Sequence, residues 1–90
     1  MNNIELKDTI ELMVSENYKD RFKAEYCQLK IRCENLHKTI IKNKAGTLDF
    51  ELNCSAELLE TQLYNMEQYL EILEIRAEIE KIELWLEDSL

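Results

Sequence analysis

The chain has 90 residues, of which 33% are charged, one is Gly and none is Pro, and its formal net charge is −8. A chain of this length forms one domain at most and buries only a little over about 60% of its unfolded surface, so its own core is small. The composition is typical of long helices and excludes a sheet-rich or linker-rich protein, and no apolar run approaches the roughly 18 residues that a membrane span requires.

The cysteines give no sign of a disulfide framework. Cys27, Cys33 and Cys54 are odd in number, form no CxxC pair and follow no apolar signal segment. A structural disulfide is therefore not expected, and the sequence favours a reducing cytoplasm.

The first fourteen residues, 1–14, are interpreted as an N-terminal extension. Their apolar residues have imperfect helical spacing, which indicates a short helix at most. Met13 is an alternative start, in which case the preceding twelve residues are optional.

A long helix is predicted over about 16–42, with Ser15 as its N-cap. One stripe of apolar residues runs along it in steps of four and three, the spacing of a helix face: Phe22, Tyr26, Leu29, Cys33, Leu36 and Ile40. A loop follows over about 43–55. In this loop Leu48, Phe50 and Leu52 alternate with polar residues, and we expect them to close the end of the fold.

A second helix is predicted over about 56–87, with Ser55 as its N-cap. It carries two apolar stripes, and one partner helix cannot cover both. The first stripe would pack on the first helix: Leu59, Leu63, Met66, Leu70, Leu73 and Ala77. The second is predicted to be a subunit interface: Ile72, Ile75, Ile79, Ile82 and Leu86.

These elements predict an all-α fold, a two-helix antiparallel hairpin domain over 15–90 with a short N-terminal helix or extension, which assembles into a helical oligomer. Charge is divided between the two helices. Residues 15–44 hold eight Lys or Arg and four acids, a net of +4, whereas residues 45–90 have a net of −10. This asymmetry favours side-by-side pairing and leaves one positive face that an anion can use.

Enzymatic motifs are poorly represented, so we expect no enzyme, no cofactor and no metal. Cys33 and His37 have the spacing of half a zinc site, and Cys54 is a conceivable third ligand. The favoured alternative is that Cys33 is a core residue and His37 a solvated one. With one histidine and no Gly-rich loop, neither a Ser-His-Asp triad nor a phosphate loop is formed.

Binding groups are better represented. Tyr18 stands at the entry of the basic helix beside Lys19 and Arg21, and Arg32 follows fourteen residues later on nearly the same face. A ring that stacks on a base and guanidinium groups that bind phosphate are the minimum set for a nucleotide pocket. On the residues alone, however, the favoured interpretation is that Tyr18 makes a hydrophobic contact at the helix start and that the cations are solvated or paired to the acidic helix.

Two runs nevertheless resemble a known family. The runs YKDRFKAEYCQLKIRCENLHKTI and LLETQLYNMEQYLEILEIRAEI are similar to the two helices of small phage proteins of the anti-CBASS and anti-Thoeris hairpin family. Tyr18, Arg21 and Arg32 are in register in the first run. In the second, the residues in register include four that helix packing alone does not require: Gln62, Met66, Tyr69 and Arg76.

The resemblance implies a sponge, that is, a protein that binds cyclic nucleotide immune signals without cleaving them. It implies a phage-encoded homo-oligomer, a hexamer in the best-described members, that acts in the cytoplasm of the infected bacterium on a cyclic di- or trinucleotide or a related signal. It also implies that Tyr18 stacks on a base, that Arg32 contacts phosphate, and that Arg76 contacts phosphate from a neighbouring subunit.

The alternative function is an oligomeric coiled-coil adaptor or structural phage protein that binds another protein and no small ligand. A protein that binds nucleic acid polymers is disfavoured, because the net charge is strongly negative and the positive surface is short.

Overall fold

The computed structural model describes residues 4–84, and within this range the chain is helical, with no strand. A 3₁₀ turn, Leu6–Thr9, leads into a single helical turn, α1 (Ile10–Met13). Two long helices follow, α2 (Tyr18–Ala45) and α3 (Ala56–Glu80), and they pack against each other as an antiparallel hairpin. The predicted all-α class and hairpin are confirmed.

Helix α2 begins later than predicted because Asn17, not Ser15, is its N-cap. The Asn17 side chain accepts a hydrogen bond from the Lys19 amide at 2.8 Å, which satisfies one of the free amides of the first turn. Ser15 instead accepts from the Asn17 amide at 3.0 Å and donates to the Asp20 carboxylate at 2.8 Å. Its hydroxyl thus fixes the approach to the helix.

Helix α2 ends at Ala45 and is capped by Gly46, whose φ of +78° lies in the left-handed region that glycine adopts without strain. The connection to α3 buries less apolar surface than predicted. Leu48 and Leu52 are half-buried, but Phe50 is 57% exposed. Ser55 then caps α3 as expected, and its hydroxyl accepts from the Leu58 amide at 3.1 Å.

Helix α3 ends at Glu80 and does not continue to about residue 87 as predicted. Lys81 adopts a left-handed φ of +61°, and the Ile82 amide bonds back to the Ala77 carbonyl at 2.9 Å. This is the geometry of a helix C-cap that reverses the chain. Ile82 and Leu84 are consequently 5% exposed and join the core.

The core lies between α2 and α3 and consists of the two stripes that the sequence predicts. Each of the six residues of the α2 stripe and of the first α3 stripe is buried or packs against the buried cluster. Tyr26 and Leu73 are the largest side chains in it with essentially no exposure. The heptad-like spacing was therefore sufficient to define the hairpin interface.

The N-terminal segment covers the side of α2 opposite to α3. Thr9 is 1% exposed, and its hydroxyl accepts from the Gln28 amide at 2.8 Å and donates to the Leu6 carbonyl at 2.7 Å. Ala24 and Cys27, on this side of α2, are also buried. Helix α2 is thus the middle layer of the fold.

Candidate ligand-binding site

The open end of the hairpin carries a cluster of Tyr18, Phe22, Arg76 and Glu80, which we call the Tyr18–Arg76 cluster. The Arg76 guanidinium donates to the Tyr18 hydroxyl at 2.7 Å and to the Glu80 carboxylate at 3.1 Å. The Tyr18 hydroxyl donates to the other Glu80 oxygen at 2.7 Å. One side of the guanidinium lies 4.9 Å from the centre of the Phe22 ring, which packs edge-on against Tyr18.

These contacts shift the pKa values of Glu80, Tyr18 and Arg76. The hydrogen bond from Tyr18 lowers the pKa of Glu80, with a further contribution from Arg76. The same bond raises the pKa of Tyr18, and the bond to Glu80 raises the pKa of Arg76. The cluster therefore holds a charged guanidinium and a charged carboxylate at neutral pH.

The Arg76 guanidinium retains donors for a ligand. A guanidinium has five N–H groups, and within residues 4–84 two of them are used, one on Glu80 and one on Tyr18. The Arg76 side chain is 43% exposed, and Tyr18 is 47% exposed. The cluster can thus offer both an aromatic ring and a partly free fork of donors to an anion in solution.

Two further tyrosines link the helices. Tyr69 donates to the Glu25 carboxylate, and Tyr26 donates to Glu74 at 2.8 Å. The bond to Glu25 raises the pKa of the Tyr69 phenol. Like the bond from Tyr18 to Glu80, each of these bonds joins a residue of α2 to one of α3, so tyrosine–carboxylate pairs fix the register of the hairpin.

That register places Arg32 at the same edge of the hairpin as Tyr18. Glu25 lies seven residues after Tyr18 on α2, and its partner Tyr69 lies seven residues before Arg76 on α3, so the two contacts are two helical turns apart. Another seven residues in each direction lead to Arg32 on α2 and Gln62 on α3, which therefore lie at the same level of the hairpin. Arg32 is exposed and lies about 21 Å from Tyr18 along α2, so it does not belong to the Tyr18–Arg76 cluster.

Of the four predicted ligand residues, the structure brings Tyr18 and Arg76 into contact. Arg21 is exposed one turn after Tyr18, and its guanidinium donates to the Ser15 carbonyl at 2.7 Å. Sequence reasoning missed Phe22 and Glu80 as neighbours of Arg76. The i, i+4 spacing of Arg76 and Glu80 is a sequence signal for the ion pair, whereas the apolar stripe predicts only a core position for Phe22.

A shallow hollow of about 500 Å³ lies on the exposed side of α3 and is lined by Leu58, Thr61, Gln62, Asn65, Met66 and Tyr69. Its polar groups are the Thr61 hydroxyl, the Gln62 and Asn65 amides, and the Tyr69 hydroxyl, which is bonded to Glu25. The Gln62 amide makes a weak contact with the Met66 sulfur at 3.6 Å, and the Asn65 amide has no side-chain hydrogen bond within residues 4–84. Its volume is within the range of small-molecule sites.

A second groove, of about 350 Å³, holds the cysteine and histidine considered as half a zinc site. Cys33, His37, Lys30 and Glu67 are among the residues that line it. Burial raises the pKa of the Cys33 thiol, with a smaller contribution from Glu67. Cys54 is exposed, and residues 4–84 contain no group of three ligating side chains placed to hold a metal.

The predicted interface stripe is only partly a free surface. Ile72, Ile75 and Ile79 are 55%, 51% and 73% exposed on successive turns of α3. Ile82 differs from the prediction, since the reversal at Lys81 turns it into the chain's own core. Leu86 lies outside the described residues.

Within residues 4–84 no helix has both the length and the apolar character of a membrane span. No curated protein and no solved structure matches the chain. A protein-family model, named Sequestin, matches residues 16–79, a range that includes nearly all of both long helices. The match agrees with the resemblance to phage anti-defence proteins that sequester a signal, and the chain belongs to the Sequestin family.

Proposed function

We propose that this protein is a phage-encoded sponge that binds a cyclic oligonucleotide immune signal in the cytoplasm of the infected bacterium and holds it without cleaving it. The observation that supports this most directly is the Tyr18–Arg76 cluster, an exposed aromatic ring and a guanidinium held together at the open end of the hairpin. Cyclic oligonucleotides present bases and phosphodiesters, which such groups bind by stacking and by charge-assisted hydrogen bonds.

The charges at the site explain how an acidic protein can bind an anionic ligand. Arg76 is paired with Glu80, so a phosphate must compete with or lie beside this carboxylate. The donors that Arg76 has left and the exposed Arg21 nearby supply the positive contacts. Arg32 lies too far along α2 to act on the same phosphate and would contribute elsewhere on the ligand or in a pocket shared with a neighbouring subunit.

Assembly into a homo-oligomer is part of this proposal. The exposed Ile72, Ile75 and Ile79 form an apolar strip that a second subunit would cover. The resemblance to the sponge family suggests a hexamer. The same strip favours the alternative function, a coiled-coil adaptor that binds another protein through α3 and takes no small ligand.

A thermal-shift panel distinguishes the two functions. We expect at least one cyclic di- or trinucleotide to raise the Tm of the wild-type protein, and Tyr18→Ala and Arg76→Gln to abolish this shift. Tyr64→Ala is a matched control, because Tyr64 is 62% exposed on α3 and lies outside the cluster. If no cyclic nucleotide in the panel raises the Tm, the adaptor function is favoured.

A further inference from the structure

The hollow on α3 has the chemistry of a site that reads the edge of a nucleobase. Gln62 and Asn65 lie on adjacent turns and line it together with the ring of Tyr69. A primary amide offers one acceptor and two donors, and asparagine or glutamine pairs through two hydrogen bonds with the adenine N6 and N7 positions. A tyrosine ring is a platform on which any base stacks.

The side chains of the hollow are free to take a ligand. Within residues 4–84 the Gln62 amide has only its weak contact with the Met66 sulfur, and the Asn65 amide has no side-chain partner. Thr61 donates to the Glu57 carbonyl at 3.1 Å and retains its lone pairs as acceptors. Tyr69 is 43% exposed, and its hydroxyl is held by Glu25, which fixes the ring beside the hollow.

Two arginines, Arg32 and Arg76, lie along the same edge of the hairpin as this hollow. Gln62, Tyr69 and Arg76 are seven residues apart and therefore lie on nearly one line along α3, about 10 Å between neighbours. The hairpin register puts the exposed Arg32 level with Gln62 on α2. A base in the hollow would thus have the Arg32 guanidinium at the level of Gln62 and the Arg76 guanidinium two turns beyond Tyr69, about four turns from Gln62.

We propose that the hollow lined by Thr61, Gln62, Asn65 and Tyr69 is the nucleobase site that sets the base preference of the protein, and that Arg32 contacts the phosphate of the same nucleotide. The inference rests on the proposed function, since it requires that a nucleotide is bound. It assigns different tasks to different residues: the two amides discriminate between bases, whereas Arg32 binds the phosphate and contributes equally to the affinity for every nucleotide.

The test is isothermal titration of the full-length protein with cyclic di-AMP, cyclic di-GMP and cyclic di-UMP. We expect wild-type protein to prefer the adenine ligand. The double variant Gln62→Ala/Asn65→Ala should reduce the ratio of Kd values between ligands by at least about fivefold, because each two-bond amide–base contact carries this much discrimination. Alanine favours helix at both positions, so the fold is retained.

Three controls make the assignment specific. Gln68→Ala removes an exposed amide from the same helix outside the hollow and should leave every Kd unchanged. Arg32→Gln should weaken all three ligands by a similar factor and leave their ratio intact. Tyr69→Phe should weaken binding less than Tyr69→Leu, since the ring contacts the base, whereas the hydroxyl acts only by holding the ring in place through Glu25.

The outcomes separate this inference from the proposed function. Binding with a base preference that the double variant leaves unchanged would overturn the nucleobase site and leave the sponge function standing. Binding without any base preference would overturn it as well. If the wild-type protein bound none of these ligands nor any other cyclic nucleotide, the proposed function and the nucleobase site would both fail.

Discussion

Arg76 lies between two kinds of partner, a carboxylate that neutralises it and aromatic rings that orient it. Glu80 and Tyr18 each accept one of its N–H groups, while Phe22 supports its face. The carboxylate competes directly with any phosphate for the guanidinium. Glu80 is therefore the residue that we expect to limit affinity for an anionic ligand.

Removing the Glu80 charge should tighten nucleotide binding. Glu80→Gln retains one of the two acceptor oxygens that Arg76 and Tyr18 use but removes the negative charge beside the phosphate, and we expect the Kd for a bound cyclic nucleotide to fall several-fold. Titration of the variant at low and high salt checks the cause, because an electrostatic gain shrinks as salt is added. An unchanged Kd would place the ligand elsewhere.

The same carboxylate makes stability depend on pH in a defined direction. The pKa of Glu80 is lowered in the folded state, chiefly by the bond from Tyr18. The stabilisation by this pair is thus fully present above the ordinary glutamate pKa and is lost as pH falls through the lower folded value. Wild-type protein should have a higher Tm than Glu80→Gln at pH 7, and the difference should vanish in strong acid. An equal difference at both pH values would contradict the assignment.

The cysteines should differ sharply in reactivity. Cys27 and Cys33 are buried, and burial raises the pKa of the Cys27 thiol to about 11, so the reactive thiolate is scarce at neutral pH. Cys54 is exposed. A thiol reagent such as Ellman's reagent should therefore modify one thiol per chain rapidly and two more only in denaturant. Rapid reaction of all three under native conditions would show that the N-terminal segment does not cover Cys27.

At the scale of single residues, the sequence identified Tyr18, and through the family resemblance Arg76, as candidate ligand residues but did not indicate their mutual contact. Periodicity places each side chain on a face of its own helix, whereas the contact depends on the pairing register of two helices. That register is fixed by tyrosine–carboxylate bonds that have no local sequence signature.

Both long helices end at a C-cap residue with a left-handed backbone conformation, but the two cap residues differ. Gly46 and Lys81 both have left-handed backbone angles, φ +78° and +61°, but only Lys81 carries a Cβ that disfavours this conformation. The C-cap at Lys81 is therefore under modest strain. It persists because Ile82 and Leu84 bury themselves in the core immediately afterwards.

Relieving this strain should stabilise the protein. Lys81→Gly is expected to raise the free energy of unfolding by about 0.5–1 kcal/mol, or the Tm by a few degrees at equal protein concentration. Gly46→Ala is the control, because it makes the opposite change at the other left-handed C-cap. An alanine Cβ there meets no atom within 4 Å, so its expected loss of about 1 kcal/mol is due to the backbone alone. A lower Tm for Lys81→Gly would contradict this account of the C-cap.

The position at which a helix ends depends on tertiary contacts that the local sequence does not show. The predicted end of the second helix at about residue 87 followed from the absence of Gly and Pro, yet α3 stops at Glu80. The stop is a tertiary effect, since the gain from burying Ile82 and Leu84 outweighs the cost of a left-handed lysine. Ser55 was identified correctly as a cap because its signal is local, whereas Ser15 and Asn17 compete within three residues.

For the whole molecule, the N-terminal segment covers one side of α2 and α3 the other, so α3 is left with an outer face. Ile72, Ile75 and Ile79 on that face have no cover among the described residues. The sequence correctly predicted that α3 carries more apolar surface than one partner helix can bury, because the helix has two apolar stripes. It could not indicate that the chain reversal at Lys81 would turn Ile82 away from the strip and into the core.

A charge within the strip should disrupt assembly. Ile79 is 73% exposed, so Ile79→Asp costs the monomer little, but it would place an unpaired carboxylate in an apolar interface. Light scattering should show a lower mass for this variant. Ile41→Asp, at a 50% exposed position on α2, is the control and should leave the mass unchanged. An unchanged mass for Ile79→Asp would place the interface on another face.

The central claim is that the protein holds a cyclic nucleotide intact, and equilibrium dialysis followed by mass spectrometry tests it most directly. A cyclic oligonucleotide identified by thermal shift should be retained on the protein side, should be released by heat with its cyclic mass unchanged, and should pass freely when Arg76→Gln replaces the wild-type protein. Free passage with wild-type protein, or recovery of a linear product, would contradict the account.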